Sequence, residues 1–120
     1  MPASCVTLDL GVLADLRSDL EEEFPTIVNI SLQAISERAS AIQEALARRD
    51  MGAVRSAAHQ IKSSSRQLGA MRVGQIAEQL ERLAAAEPPP NLQAWGETLL
   101  VEVGSAKKAI LECKGMMISI

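Results

Sequence analysis

Ala57-Ala58-His59-Gln60-Ile61-Lys62-Ser63-Ser64-Ser65-Arg66-Gln67-Leu68-Gly69-Ala70 holds the only histidine of the 120-residue chain. Val54, Ala58, Ile61, Ser65 and Leu68 recur at spacings of four, three, four and three, with Ala57 beside them. That is the one-sided stripe of an amphipathic helix packed on a core. With roughly 100° between residues, His59 lies about 160° from the centre of the stripe. The spacing therefore turns the imidazole to solvent. Arg55, Lys62, Ser63 and Arg66 stand at i−4, i+3, i+4 and i+7 from it, on the same side of the helix.

A lone histidine is most often an ordinary surface or core residue. Here no packing role explains it, because it lies off the apolar stripe. It stands in a column of cations separated by small or polar residues, so an anion has room to approach. Three cations near the ring favour its neutral, nucleophilic form by like-charge repulsion. The pattern suits a phosphorylatable histidine. A general-base role is poorly supported, because no carboxylate at i±3 or i±4 is placed to orient the ring.

His59-Gln60-Ile61-Lys62, the small run Ser63-Ser64-Ser65 and then Leu68-Gly69-Ala70 resemble the signature of histidine-containing phosphotransfer (HPt) domains. That signature reads His-x-(apolar)-Lys-Gly-Ser, then Leu-Gly-Ala, then a Leu-Glu pair about one helix later, supplied here by Leu80-Glu81. The chain departs from it at Ser63, where the family usually has glycine. The substitution adds a hydroxymethyl group to the surface a partner approaches.

The rest of the chain is consistent with one helical domain. A chain of this length builds a single core. It has one Phe, one Trp and no Tyr, and Ala, Leu, Ile and Val dominate, a composition of helix bundles rather than sheets. The net charge of −3 argues against nucleic acid as a partner. Cys5 and Cys113 have no metal-ligand spacing and form no disulfide framework. The chain shows neither a secretion signal nor an apolar run long enough to span a membrane, so a cytoplasmic location is expected.

Asp9 caps a short helix over about 10–21, with Leu10, Leu13, Leu16 and Leu20 on one side. Glu21-Glu22-Glu23 before Phe24-Pro25 suits the first turn of a second helix, from about Pro25 to Arg49. Its seam is Val28, Leu32, Ile35, Ala39, Ile42 and Leu46. Asp50 caps the His59 helix, and Gly69 fits the left-handed position just past its end. A further helix runs from Met71 to about Ala86 with Val73, Ile76, Ala77, Leu80, Leu83 and Ala84 inward. Pro88-Pro89-Pro90 marks a stiff turn, and Asn91 caps a last helix reaching roughly Cys113. Its seam is Leu92, Trp95, Leu99, Val103, Ala106 and Ile110, with Trp95 an anchor in the core or at its rim. The expectation is an all-α, antiparallel up-and-down four-helix bundle with an additional short N-terminal helix across one end. Residues 1–120 form one domain, with a core over about 9–113 and an apolar tail over 114–120.

The resemblance implies a phosphorelay intermediate of two-component signalling. His59 then accepts a phosphoryl group from a phospho-aspartate on a response-regulator receiver domain and passes it to another receiver, with Nε2 as the attacking nitrogen. Lys62 matches the motif lysine and holds phosphoryl oxygens, and Ser63 is a further donor. Arg55 and Arg66 are supporting cations by helical spacing alone. Gly69 shapes the helix end for receiver docking. The implied partners are receiver domains or a hybrid sensor histidine kinase. No cofactor or metal is expected on this chain, the divalent ion belonging to the receiver, and no autonomous kinase activity is expected. The rival readings are a degenerate module that binds a receiver without carrying phosphate, and a helical adaptor whose cations are a solvated face.

Overall fold

The structure, a computed structural model, describes the backbone of residues 8–86 and 91–118 and the side chains as far as residue 112. Five α-helices follow in order: α1 (Leu10–Leu20), α2 (Phe24–Ala47), α3 (Met51–Gln67), α4 (Met71–Ala85) and α5 (Leu92–Ile118). A 3-10 turn, Glu21–Glu23, joins α1 to α2. The expected lead-in before residue 8 and the Pro88-Pro89-Pro90 turn lie outside the described residues.

Short connections force α2, α3 and α4 into antiparallel neighbours. The four long helices form a ring in which α2 packs on α3 and α5, and α4 packs on α3 and α5. The dimensions, 48 × 28 × 18 Å, are those of one long helix by two by two. The core is built from the expected seams. Val28, Leu32, Ile35, Ala39 and Ile42 of α2 meet Val54, Ala58 and Ile61 of α3. Val73, Ile76, Ala77 and Leu80 of α4 and Leu99, Val103, Ala106 and Ile110 of α5 complete it. Alanine recurs at these contacts and lets backbones approach, which compensates for the near absence of aromatic volume. The single Phe, Phe24, is buried at the start of α2, and Trp95 lies at the rim, partly buried against the core.

Aspartates start two of the helices. Asp9 accepts from the Val12 N–H at 3.2 Å, and Asp50 from the Ala53 N–H at 3.1 Å. The α3 end is closed by a Schellman motif: the Gly69 N–H donates to the Arg66 carbonyl at 3.1 Å, and the Ala70 N–H to Ser65 at 2.8 Å. Gly69 has φ +77, which an L side chain adopts only at a cost. It is also a crossing point. The Asp9 N–H donates to the Gly69 carbonyl at 2.7 Å, and a β-carbon on Gly69 would stand 2.6 Å from the Asp9 carbonyl oxygen. This clip ties the segment leading into α1 to the α3–α4 turn, so α1 lies at that end of the bundle.

Several expectations shift. Glu21–Glu23 form the 3-10 turn before α2, not its first turn, and Glu21 takes φ 49 as the chain changes direction. Leu10 is exposed, and α1 buries Leu13 alone, because so short a helix presents only part of its stripe. Helix α5 does not stop near Cys113 but continues to Ile118 through part of the expected tail. Gly115 alone is too weak a breaker, costing about 1 kcal/mol relative to alanine, and no proline follows it.

Replacing Gly69 with alanine should lower the unfolding free energy by about 1–2 kcal/mol from the left-handed backbone alone. Urea denaturation measures it, and an unchanged midpoint would contradict the clip as described.

Candidate functional site

Helix α3 is flanked by α2 and α4, and its core face (Val54, Ala58, Ile61, Ser65) is fully buried. This fixes the rotation of the helix and so the direction of every other residue on it. His59 emerges at its middle with a side chain 62% exposed, as its spacing requires. Leu80 of α4 is buried at the same interface, which turns the next residue, Glu81, toward α3.

Glu81 organises the site. Its Oε2 lies 2.7 Å from His59 Nδ1, and its Oε1 accepts from Lys62 Nζ at 2.6 Å. One carboxylate thus holds both motif residues, one on each oxygen. The Lys62 hydrogen bond, more than any other influence, pulls the Glu81 carboxyl below its ordinary value; burial, the next largest influence, opposes it, and His59 adds a further lowering. Glu81 is therefore ionised at neutral pH. An ionised carboxylate only accepts, so the hydrogen in this contact belongs to His59 Nδ1. In the neutral ring Nε2 then carries the lone pair, and no described residue hydrogen-bonds to it.

Sequence reasoning quoted Glu81 within a motif but did not assign it to the site. It looked for an orienting acid on the histidine's own helix, whereas the acid comes from the neighbouring one. The signal was the Leu-Glu pair itself, a buried residue followed by a charge on an amphipathic helix. The nearest charge to the ring is this carboxylate, not one of the cations that the helical spacing emphasised.

The remaining expected residues are placed as follows. Lys62 is mostly covered, 19% exposed, and engaged with Glu81. Arg66 reaches across to α4, where its guanidinium meets Glu78 at 3.1 Å, and Arg82 meets the other oxygen of Glu78 at 3.4 Å. Gly74 makes room for this, since a β-carbon there would press on Arg66 Cγ at 3.3 Å. Arg55 and Ser63 are exposed and make no ion pair or hydrogen bond among the described residues. Gly69 is ten residues from His59, roughly 15 Å along the axis, and acts at the helix end, not beside the ring. Among the described residues no cluster of three His, Cys, Asp or Glu could hold a metal ion. None of the described helices is long and apolar enough to cross a membrane.

Comparison with known proteins agrees with this geometry. No curated protein sequence matches the chain. Among solved structures, the crystal structure of histidine-containing phosphotransfer protein B from Pseudomonas aeruginosa PAO1 superposes with a TM-score of 0.86 at 25% identity. The match covers 92% of this chain and 96% of that one. The family description Hpt domain fits residues 26–109, from the start of α2 to near the last buried turn of α5. A bundle of this topology, with an exposed histidine at the middle of α3 inside that match, makes the chain a member of the Hpt domain family, the phosphocarriers of two-component relays.

Proposed function

We propose that His59 is the phosphoacceptor, taking a phosphoryl group from a phospho-aspartate on a response-regulator receiver and returning it to another receiver. The observation that carries this reading is the Glu81 contact, which leaves a bare Nε2 on an exposed ring held by a packed helix. In the transfer, the Nε2 lone pair attacks phosphorus, the N–P bond forms and the P–O bond to the aspartate breaks. The aspartate leaves as a carboxylate with the bonding electrons. The Nδ1 proton stays in place, so no base is required. The ring becomes cationic as the bond forms, and the Glu81 carboxylate stabilises that charge. Reversal on the next receiver releases a neutral imidazole with its proton where it began.

Lys62 shares the Glu81 carboxylate with the ring, and its ammonium serves the phosphoryl oxygens as a point charge while remaining tethered to Glu81. Phosphoryl transfer asks for alignment and charge compensation more than covalent work. The exposed Arg55 and Ser63 are free to meet an incoming acidic partner. Arg66 contributes from its pairing with Glu78, and Gly69 by fixing the turn beside which a receiver docks. The divalent ion and catalytic carboxylates are assigned to the receiver, and this chain is a carrier, not a kinase, working between cytoplasmic partners.

Incubation with a phosphorylated receiver should give acid-labile label on the wild type and none on His59→Gln. That variant should lose less than about 0.5 kcal/mol of stability, as expected for an exposed residue. A wild-type chain that binds the receiver without acquiring label would favour the degenerate, binding-only reading. Lys62→Ala should slow transfer by at least ~10-fold while the bundle stays folded, the scale of one lost charge-stabilising donor. An unchanged rate and phosphorylated lifetime would remove Lys62 from the site.

The Glu81 contact also has a pH signature. A carboxyl with a depressed folded-state pKa contributes stability that is fully present above its unfolded value and is lost as pH falls through the lower, folded value. The stability difference between wild type and Glu81→Gln should thus shrink as pH falls below about 4. Paired urea titrations across that range measure it. A difference that grew as pH fell from about 4 would contradict the assignment.

A further inference from the structure

Helix α5 carries a second pattern, unrelated to the histidine. Its core seam faces α2 and α4, yet its outer side repeats as well: Ala94, Glu97, Val101, Gly104, Lys108 and Leu111, at spacings of three, four, three, four and three. This is the heptad rhythm of a helix–helix seam. All six residues are exposed. Val101, 66% exposed, is the most exposed large apolar residue among those described. Gly104 has no atom of the described residues within 4 Å of where a β-carbon would be. Nothing among the described residues accounts for a glycine there, although glycine weakens an exposed helix relative to alanine. Glu97 and Lys108 make no ion pair among the described residues, and eleven residues separate them, too far to pair with each other.

We infer that this face of α5 docks on the same face of a second copy of the chain, antiparallel, about a two-fold axis passing between Val101 and Gly104. The sequence is self-complementary under that operation. Val101 of each copy falls opposite Gly104 of the other, and the missing β-carbon lets the backbones close over the valine. Glu97 of each copy falls opposite Lys108 of the other, giving two symmetric ion pairs that flank the centre. Ala94 falls opposite Leu111, small against large. An isologous two-fold contact requires this reciprocity, and a parallel pairing would instead set Glu97 against Glu97 and Lys108 against Lys108. Helix α5 stands diagonally across the bundle from α3, so both His59 rings stay open in the pair. The contact is one helix on one helix, with polar pairs at its rim, and belongs to the weak, transient class of interfaces.

Sedimentation velocity of the full chain from about 10 μM to 1 mM tests it, with dissociation expected on the order of 100 μM for so small an interface. The mass should rise toward that of a dimer, and the rise should diminish in high salt. Glu97→Lys and Lys108→Glu should each weaken association at least ~10-fold by placing like charges together, and the double exchange Glu97→Lys/Lys108→Glu should restore it. Gly104→Gln, which favours the helix, should abolish association while circular dichroism shows the helix content maintained. A chain monomeric at every concentration overturns the proposal. So does an association indifferent to the single charge reversals, one not recovered by the double exchange, or one that survives Gly104→Gln. None of these results bears on phosphoryl transfer by His59, which is measured separately.

Discussion

A single carboxylate shared between two helices sets the chemistry of this molecule. Glu81 accepts from Lys62 on one oxygen and meets the His59 ring on the other. Glu81 is ionised at neutral pH, with the first contact lowering its pKa further, and an ionised carboxylate only accepts, which puts the hydrogen of the second contact on the ring. Lys62 is thereby tied to His59 through the carboxylate they share. The same contact places a negative charge behind a ring that becomes positive in the proposed transfer, and a positive charge beside the group that arrives.

Such an arrangement needs helices that do not rotate or slide. The contact crosses between α3 and α4, so it depends on their mutual register. Buried Ile61 and Leu80 help fix the rotation of each helix, and the close Gly74–Arg66 approach brings the helices together about two turns from the His59–Glu81 contact. The turn at Gly69 then limits sliding, because it is hydrogen-bonded to Asp9 and leaves no room for a β-carbon. The glycine in the Leu68-Gly69-Ala70 run thus holds the α3–α4 turn in place. The Arg66–Glu78–Arg82 group lies along the same seam.

The helices were legible because each carries a sustained 3.6-residue stripe, and the exposure of His59 followed from its phase on such a stripe. Caps at Asp9 and Asp50 and the left-handed turn at Gly69 were legible for the same local reason. What periodicity along one helix cannot reveal is a partner on another. Glu81 was visible as a letter in a motif, but its position opposite His59 depends on how α4 is seated against α3. Arg66 looked like a free cation beside the histidine for the same reason, and it is Glu78 that claims it. The extension of α5 was missed because Gly115 resembles a terminator, although a glycine without a following proline or cap does not end a helix. At Leu10 the stripe runs past the core: Leu13, Leu16 and Leu20 pack against it, and Leu10, at the start of the helix, is exposed.

The protonation of the His59 ring tests the account most directly. Nitrogen-15 shifts and long-range proton couplings of the two ring nitrogens, recorded on the unphosphorylated protein at a pH where the ring is neutral, identify the tautomer. The account predicts the hydrogen on Nδ1 and a bare Nε2 in the wild type, with that preference lost in Glu81→Ala. A wild-type ring carrying its hydrogen on Nε2 would contradict it, because the nitrogen meant to attack phosphorus would then have no lone pair to offer.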